Sequence, residues 1–341
     1  SAAARIKAAE LAASQGLAAQ RANGDETRIP QRAACFTKGL PHPNERGGFV
    51  DAAAYDLYLA ALESGEPLRF ESIPLGGFAR LANPQAAWSV ALVGPDPAQV
   101  ACLPAPLFDS DEQAAEIVEL YWQALLRDVP FAEYETHPLA QKAAEELTKL
   151  SDFRGPKSGP SVTARTLFRG PSAGDLVGPY LSQFLLKPIP MVPTIIEQRI
   201  RTAVPAKDFL YEFEAWRAIQ NGGLAGVNTF DPQARFQRNG RDLGEYSHRD
   251  FSYQPYLAAC LQALKWGTPP DGGNPYKHSR TQSAFATFGQ PFLLALLATV
   301  TQSALYACWF QKWRVHRRLR PEEMGGWIAA AHRRDGGNGD P

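Results

Sequence analysis

Between Arg280 and Lys312 the chain carries no Asp, Glu, Lys or Arg, and this apolar stretch ends in a dense cationic cluster, "CWFQKWRVHRRLRPEEMGG" (308–326). An uncharged run of that length cannot lie as an ordinary surface helix, so it has to be covered by protein or by lipid. Cations just beyond it resemble a positive-inside flank. Against a membrane span, Thr299, Thr301, Gln302 and Ser303 interrupt its middle, and no comparable stretch occurs elsewhere. The expectation is a helix opened by Pro291 and running to about Leu319, packed inside a helical bundle of a water-soluble protein.

The remaining sequence alternates Ala/Leu-rich segments with Pro/Gly-rich connections, and alternating strand patterns are scarce. Residues 110–128 give the clearest helix, with Ser110 and Gln113 at capping-box spacing and Ile117, Tyr121, Ala124 and Leu125 on one face. Further helices are expected at 138–150, 208–220, 231–244 and 253–266, and a helix start at 177–186. The proline-rich 187–195 should be extended, and 151–175 and 266–279 should be loops. The Ala-rich opening, with Gly24 as its stop, reads as a surface helix rather than a transit peptide. The fold class is all-α, with helices packed as bundles.

If one helix carried the whole cluster, each residue would advance 100°. Lys312 and His316 would then share a face, Arg320 would lean toward it from near the helix end at Pro321, and Trp309 would join them. Arg314, Arg317 and Arg318 would point elsewhere, to solvent or to Glu322 and Glu323. Two readings fit. One is a cationic last turn interacting with the helix dipole. The other is an oxyanion site in which Lys supplies a point charge and Arg a fork.

Composition narrows the partners. Lys plus Arg and Asp plus Glu are 35 each in 341 residues, so the net charge is zero and any anion binding is local, which excludes a broadly basic nucleic-acid binder. Cys35, Cys102, Cys260 and Cys308 lie far apart without metal-finger spacing, which leaves the redox compartment, and hence a cytoplasmic or exported location, open.

Lys312, seven intervening residues, then Arg320-Pro321 resembles the opening motif of the vanadium-dependent haloperoxidases. That superfamily also takes in the type-2 phosphatidic acid phosphatases, whose spacing is one residue shorter. "KWRVHRRLRPEEMGG" is similar to the bromoperoxidases of brown and red algae and their cyanobacterial and bacterial relatives. "YWQALLRDVPF" (121–131), "WRAIQNGG" (216–223) and "FQRNGRDL" (236–243) resemble the family in the same order, and "RIKAAELA" and "KGLPHP" do so more loosely.

The resemblance implies an all-helical fold of two four-helix bundles and oxidation of bromide by hydrogen peroxide on bound vanadate, yielding halogenated small organic molecules. It implies homo-oligomers. It makes Lys312 and Arg320 the vanadate-binding side chains and puts Trp309 near halide and peroxide. His316 matches the motif string and is expected to support the site rather than react. The family also needs a Pro-Ser-Gly-His motif, a further Arg and a final vanadium-ligating His. None of His42, His137, His248, His278, His316 and His332 sits in such a motif. The expectation is that residues 1–341 form the N-terminal part of one haloperoxidase-like domain, with the rest of the site in a C-terminal half beyond Pro341. The loop 274–280 offers no carboxylate, which argues against calcium there. A phosphatase or phosphotransferase on the same oxyanion site, and a non-catalytic helical assembly subunit, remain the alternatives.

Overall fold

The computed structural model describes residues 2–14, 16–43, 48–91, 93–191, 193–249 and 251–334. Its longer helices are α1 (Ala2–Ser14), α2 (Ala52–Ser64), α3 (Asp111–Leu126), α4 (Pro138–Lys149), α5 (Phe213–Gln220), α6 (Gly240–Arg249), α7 (Gln254–Lys265), α8 (Gln290–Phe310) and α9 (Pro321–Arg334). Among the described residues the named strands are β1 (Ile189–Met191) and β2 (Thr194–Ile196), an antiparallel hairpin in the segment expected to be extended. The chain is all-α in class.

The chain divides into two compact units. One takes Ser1–Phe108, Leu210–Ala225 and Gln302–Pro341, and the other Asp109–Phe209 and Gly226–Thr301. The first has a core of Leu40, Tyr55, Tyr58, Leu62, Ile73 and Trp313, with Trp309 packed partly buried against it. The sequence reading missed α2, although Asp51 accepts the Ala54 N–H at 3.0 Å at its start and Gly65 adopts φ 71° at its end.

In the second unit, Trp122 and Leu126 of α3 pack with Ala140, Ala143 and Leu147 of α4. Ser110 caps α3 by accepting the Gln113 N–H at 3.1 Å, as its spacing predicts. The expected core face of α3 is corrected. Ile117 is buried, but Tyr121 and Leu125 are 48% and 61% exposed. Trp122 and Leu126, each about 100° around the helix from Tyr121 and Leu125, face the core in their place.

Other boundaries move for identifiable reasons. The helix expected at 208–220 starts only at Phe213, because Asp208 is drawn into ion pairs with Arg127 at 2.5 Å and Arg241 at 3.1 Å. The one expected at 231–244 starts at Gly240, because Arg235 pairs its backbone with Ile200 and Asn239 accepts the Asp242 N–H at 3.0 Å as a helix start. Within 177–186 only Gln183–Leu185 is helical, as a single tight turn.

The burial expected of α8 is not found within this chain. None of its residues is buried, and Leu293, Leu296 and Val300 are 41%, 43% and 58% exposed. Its apolar residues run all round, so no single face directs it into this chain's own cores. By length and composition alone, the helical run Gln290–His316 would suffice to cross a membrane.

The two faces of α3 generate a paired test. Leu126→Ala should destabilise the chain by about 2–5 kcal/mol, because it leaves a cavity in a packed core. Leu125→Ala should stay within about 0.5 kcal/mol. Denaturant unfolding of both variants reads the difference, and equal losses would refute the assignment of faces.

Candidate functional site

The helix carrying the cationic cluster does not reach Arg320. After Phe310 the backbone widens into a π-helical turn, Gln311–His316, and Arg317 leaves it in the left-handed region at φ 38°, ψ 39°. Residues 317–319 then run as a strap against residues 34–36. Phe36 N–H donates to the Arg317 carbonyl at 2.8 Å, and Leu319 N–H donates to the Ala34 carbonyl at 3.1 Å. Arg320 stands just before α9, whose first residue is Pro321, where a missing N–H costs nothing. Lys312 and Arg320 therefore belong to different elements, and the 100° arithmetic does not apply to them.

Arg317 fixes this break. Its guanidinium grips Glu26 in a fork at 2.5 and 2.7 Å and also donates to the Trp313 and Arg314 carbonyls at the end of the π-turn. Burial works against the charge on both partners, but their mutual hydrogen bonds and attraction outweigh it, holding Glu26 below and Arg317 above their ordinary ranges. The expectation that Arg317 meets solvent, Glu322 or Glu323 is thus corrected. Glu322 instead pairs with Arg320 at 2.7 Å and Lys38 at 3.1 Å, and Arg314 stacks on Trp88 at 3.9 Å from the ring centre.

Lys312, like Arg314, meets aromatic rings rather than a carboxylate among the described residues. Its ammonium lies 4.3 Å from the Trp313 ring centre and 5.9 Å from that of Phe36, and among the described residues it pairs with no carboxylate. Burial, with the nearby charge of Arg320, pulls its pKa down. An ammonium and a guanidinium that repel each other are both stabilised by an anion placed between them. Every polar atom that Lys312 and Arg320 offer from their side chains is a donor, which suits the oxygens of a tetrahedral oxyanion such as vanadate.

Arg320, Lys38, Arg80, Thr37, Tyr58 and Trp313 line a cavity of about 230 Å³ in the same unit. Lys312 and Trp309 are not among its lining residues. Trp309 packs on Tyr306, 5.7 Å between ring centres. His316 faces Cys102 and Gln311 at 3.0 and 3.2 Å instead. Burial and the charge of Arg317 pull its pKa down. Sequence reasoning missed Lys38 and Arg80. "KGLPHP" (38–43) was the available signal for Lys38, while nothing around Arg80 marked it. No three His, Cys, Asp or Glu side chains converge among the described residues.

Beneath Arg320 lies a buried polar chain. Glu323, 2% exposed, accepts the Arg320 N–H at 3.1 Å, the capping bond of the third helical residue back to the cap. Thr37 Oγ1 is 3.1 Å from Glu323 Oε1 and 3.0 Å from His42 Nε2. His42 Nδ1 lies 2.7 Å from the Leu40 carbonyl, which can only accept, so that nitrogen carries a proton and a neutral ring offers Nε2 as an acceptor. One threonine hydroxyl proton cannot serve two acceptors. The chain closes when one further proton is bound. Burial pushes Glu323 up to about 7, with Glu322 adding to it and the Arg320 and Thr37 hydrogen bonds opposing. Burial pulls His42 down to about 4, against its bond to Leu40 and helped by Arg217. The proton accordingly sits on Glu323.

The two groups bear on stability with opposite signs. Protonated Glu323 favours the folded chain fully below its ordinary value of 4.5, and that contribution is lost as pH rises to about 7. Neutral His42 contributes above its ordinary 6.5, and that is lost as pH falls toward 4. In Glu323→Gln the His42 contribution persists and the Glu323 contribution cannot titrate. The melting temperature of the variant, relative to the parent chain, should therefore rise between pH 4.5 and 7. A constant difference across that range would place the proton elsewhere.

No protein-family model matches the chain. A vanadium-dependent bromoperoxidase of Corallina pilulifera is 32% identical over 400 aligned residues, covering 95% of this chain and 67% of that protein. One from Ascophyllum nodosum is 32% identical over 320 residues, covering 90% of this chain and 56% of its own length. The solved homohexameric structure of the second vanadate-dependent bromoperoxidase of Ascophyllum nodosum superposes with a TM-score of 0.88 at 31% identity, over 95% of this chain and 55% of that one. This chain thus spans between about half and two thirds of the length of these relatives. With the all-α fold and the paired cations at 312 and 320, these similarities lead to one conclusion: the chain belongs to the vanadium-dependent bromoperoxidase family.

Proposed function

We propose that this chain supplies Lys312 and Arg320 to a vanadate site at which hydrogen peroxide oxidises halide, bromide first, giving hypohalous acid and halogenated small organic products. The observation that carries this reading is the Lys312 ammonium, repelled by Arg320 and, among the described residues, without a carboxylate. Vanadate, when bound, supplies Lewis-acid activation of peroxide without a change in its own oxidation state. Arg320 offers a planar fork to an oxyanion, steadied from behind by Glu322 and through its backbone by Glu323. Lys312, its ammonium over Trp313, would donate to an oxygen of the bound oxyanion and so stabilise negative charge there. Trp309 would stand near the halide and peroxide. The further ligands, including the vanadium-binding histidine, would come from a segment following Pro341. That segment, or a second copy in a homo-oligomer, would also cover α8, so that the apolar helix is an internal helix and not a membrane span.

Lys312→Ala tests the reading in a protein that carries both parts of the site. Bromination of a dye at saturating vanadate and peroxide should fall by about 10²–10³, the usual cost of removing one preorganised donor. The melting temperature should change little, since the lysine contributes only its stem to packing. Lys312→Arg should not rescue, because a planar fork cannot occupy the position of a compact ammonium. Parent-like turnover in Lys312→Ala would return the cluster to a helix-end role. Hydrolysis of a phosphomonoester in place of bromination would move the site to phosphoryl chemistry.

A further inference from the structure

The cavity of about 230 Å³ beside Arg320 has walls that an inorganic oxyanion would leave unused. They include Phe36, Leu40, Tyr58, Ile219 and Trp313, and every lining residue belongs to the first compact unit. The Lys312 ammonium lies over the Trp313 and Phe36 rings, yet Lys312 does not line the cavity. The two rings are thus shared by two separate surroundings. At about 30 Å³ per water-sized group, the cavity admits roughly seven or eight such groups. That is more than the four oxygens of a tetrahedral oxyanion fill, and close to one aromatic ring with a short polar substituent.

The charge on the lining has one sign. Lys38, Arg80 and Arg320 contribute to it, and among the described residues no Asp or Glu does. Lys38 and Arg320 converge on a single oxygen, Glu322 Oε1, at 3.1 and 2.7 Å. One carboxylate cannot neutralise both. Arg320 meets it through Nε, which leaves the outer nitrogens of the guanidinium without a carboxylate among the described residues. Arg80, which is exposed, pairs with no carboxylate among them either. Apolar walls and uncompensated cations in one cavity call for a ligand with an apolar body and an anionic end. A flat ring suits walls that already meet edge to face, as Phe36 and Trp313 do at 5.4 Å between ring centres. A carboxylate is planar and accepts two parallel N–H bonds from a guanidinium.

We propose that this cavity binds a small aromatic carboxylate, with its ring among Phe36, Ile219 and Trp313 and its carboxylate held by Arg80 and Arg320. Such binding needs no vanadate, halide or peroxide, so it stands or falls apart from the oxidation chemistry.

Calorimetric titration of the 341-residue chain with benzoate, at neutral pH in halide-free buffer without vanadate, tests this. Benzyl alcohol keeps the ring and loses the charge, and inorganic phosphate keeps the charge and loses the ring. Each should bind at least about tenfold more weakly than benzoate. Arg80→Gln should weaken benzoate about tenfold, the worth of one hydrogen bond to a charged group. Arg69→Gln removes the same charge from another exposed arginine that does not line the cavity, and should change the affinity by no more than about twofold. Both substitutions are at exposed positions, so both variants should melt like the parent chain. Phosphate binding as tightly as benzoate would reduce the cavity to a bare oxyanion site and overturn the proposal. So would unchanged benzoate affinity in Arg80→Gln, an equal loss in Arg69→Gln, or no benzoate binding by the folded parent chain.

Discussion

The Arg317–Glu26 fork is the interaction on which the candidate site depends. A helix continued from Phe310 through Arg320 would carry Lys312 and Arg320 as two residues of one surface. Arg317 prevents this by adopting a left-handed conformation that costs a non-glycine residue on the order of 1 kcal/mol. Its side chain offsets that cost by capping two carbonyls of the π-turn and by pairing with Glu26, which also accepts the Tyr55 hydroxyl at 2.6 Å. Tyr55 is fully buried, so the ion pair is anchored in the first core. The strap that follows is pinned to residues 34–36, and Arg320 comes to rest at the start of α9.

Against that fixed frame, the cations around the turn divide by what they face. Arg317 is neutralised by Glu26, and Arg320 only partly by Glu322. Lys312 is given aromatic faces and, among the described residues, no carboxylate. Two repelling cations cost folding free energy unless an anion joins them. Local destabilisation of this kind is expected where binding energy is to be concentrated on a ligand. A cationic turn serving only the helix dipole would not need to set its lysine over Trp313, a residue of the core.

How much of this could be read in the sequence depends on the range of the forces involved. Ser110 and Gln113 cap α3 through contacts three residues apart, and the start of that helix was legible. Its core face was not, because Trp122 and Leu126 are selected by their fit against α4, which lies elsewhere in the chain. The motif Lys312 to Arg320 was legible as a pattern, but its geometry was not. The break at Arg317 is set by Glu26, 291 residues away, and no local rule marks an arginine as a left-handed residue. For the same reason Asp208 delayed the start of α5 and Asn239 set that of α6. The role of His316 as a neighbour of Cys102 was equally hidden, since the two are 214 residues apart.

Helix α8 holds the uncharged stretch that leads into the cationic turn. The notable property of its sequence, absence of charge, was read as a demand for burial, and the demand is sound even though this chain does not meet it. A single exposed Leu is ordinary on a protein surface, but Leu293, Leu296 and Val300 on one helix form a continuous apolar face. The same helix leads directly into the π-turn and Lys312. A segment covering the whole length of α8 would reach the turn that bears the Lys312 ammonium. A covering segment that also supplied anion ligands would bury the apolar face and neutralise the repelling cations in one step.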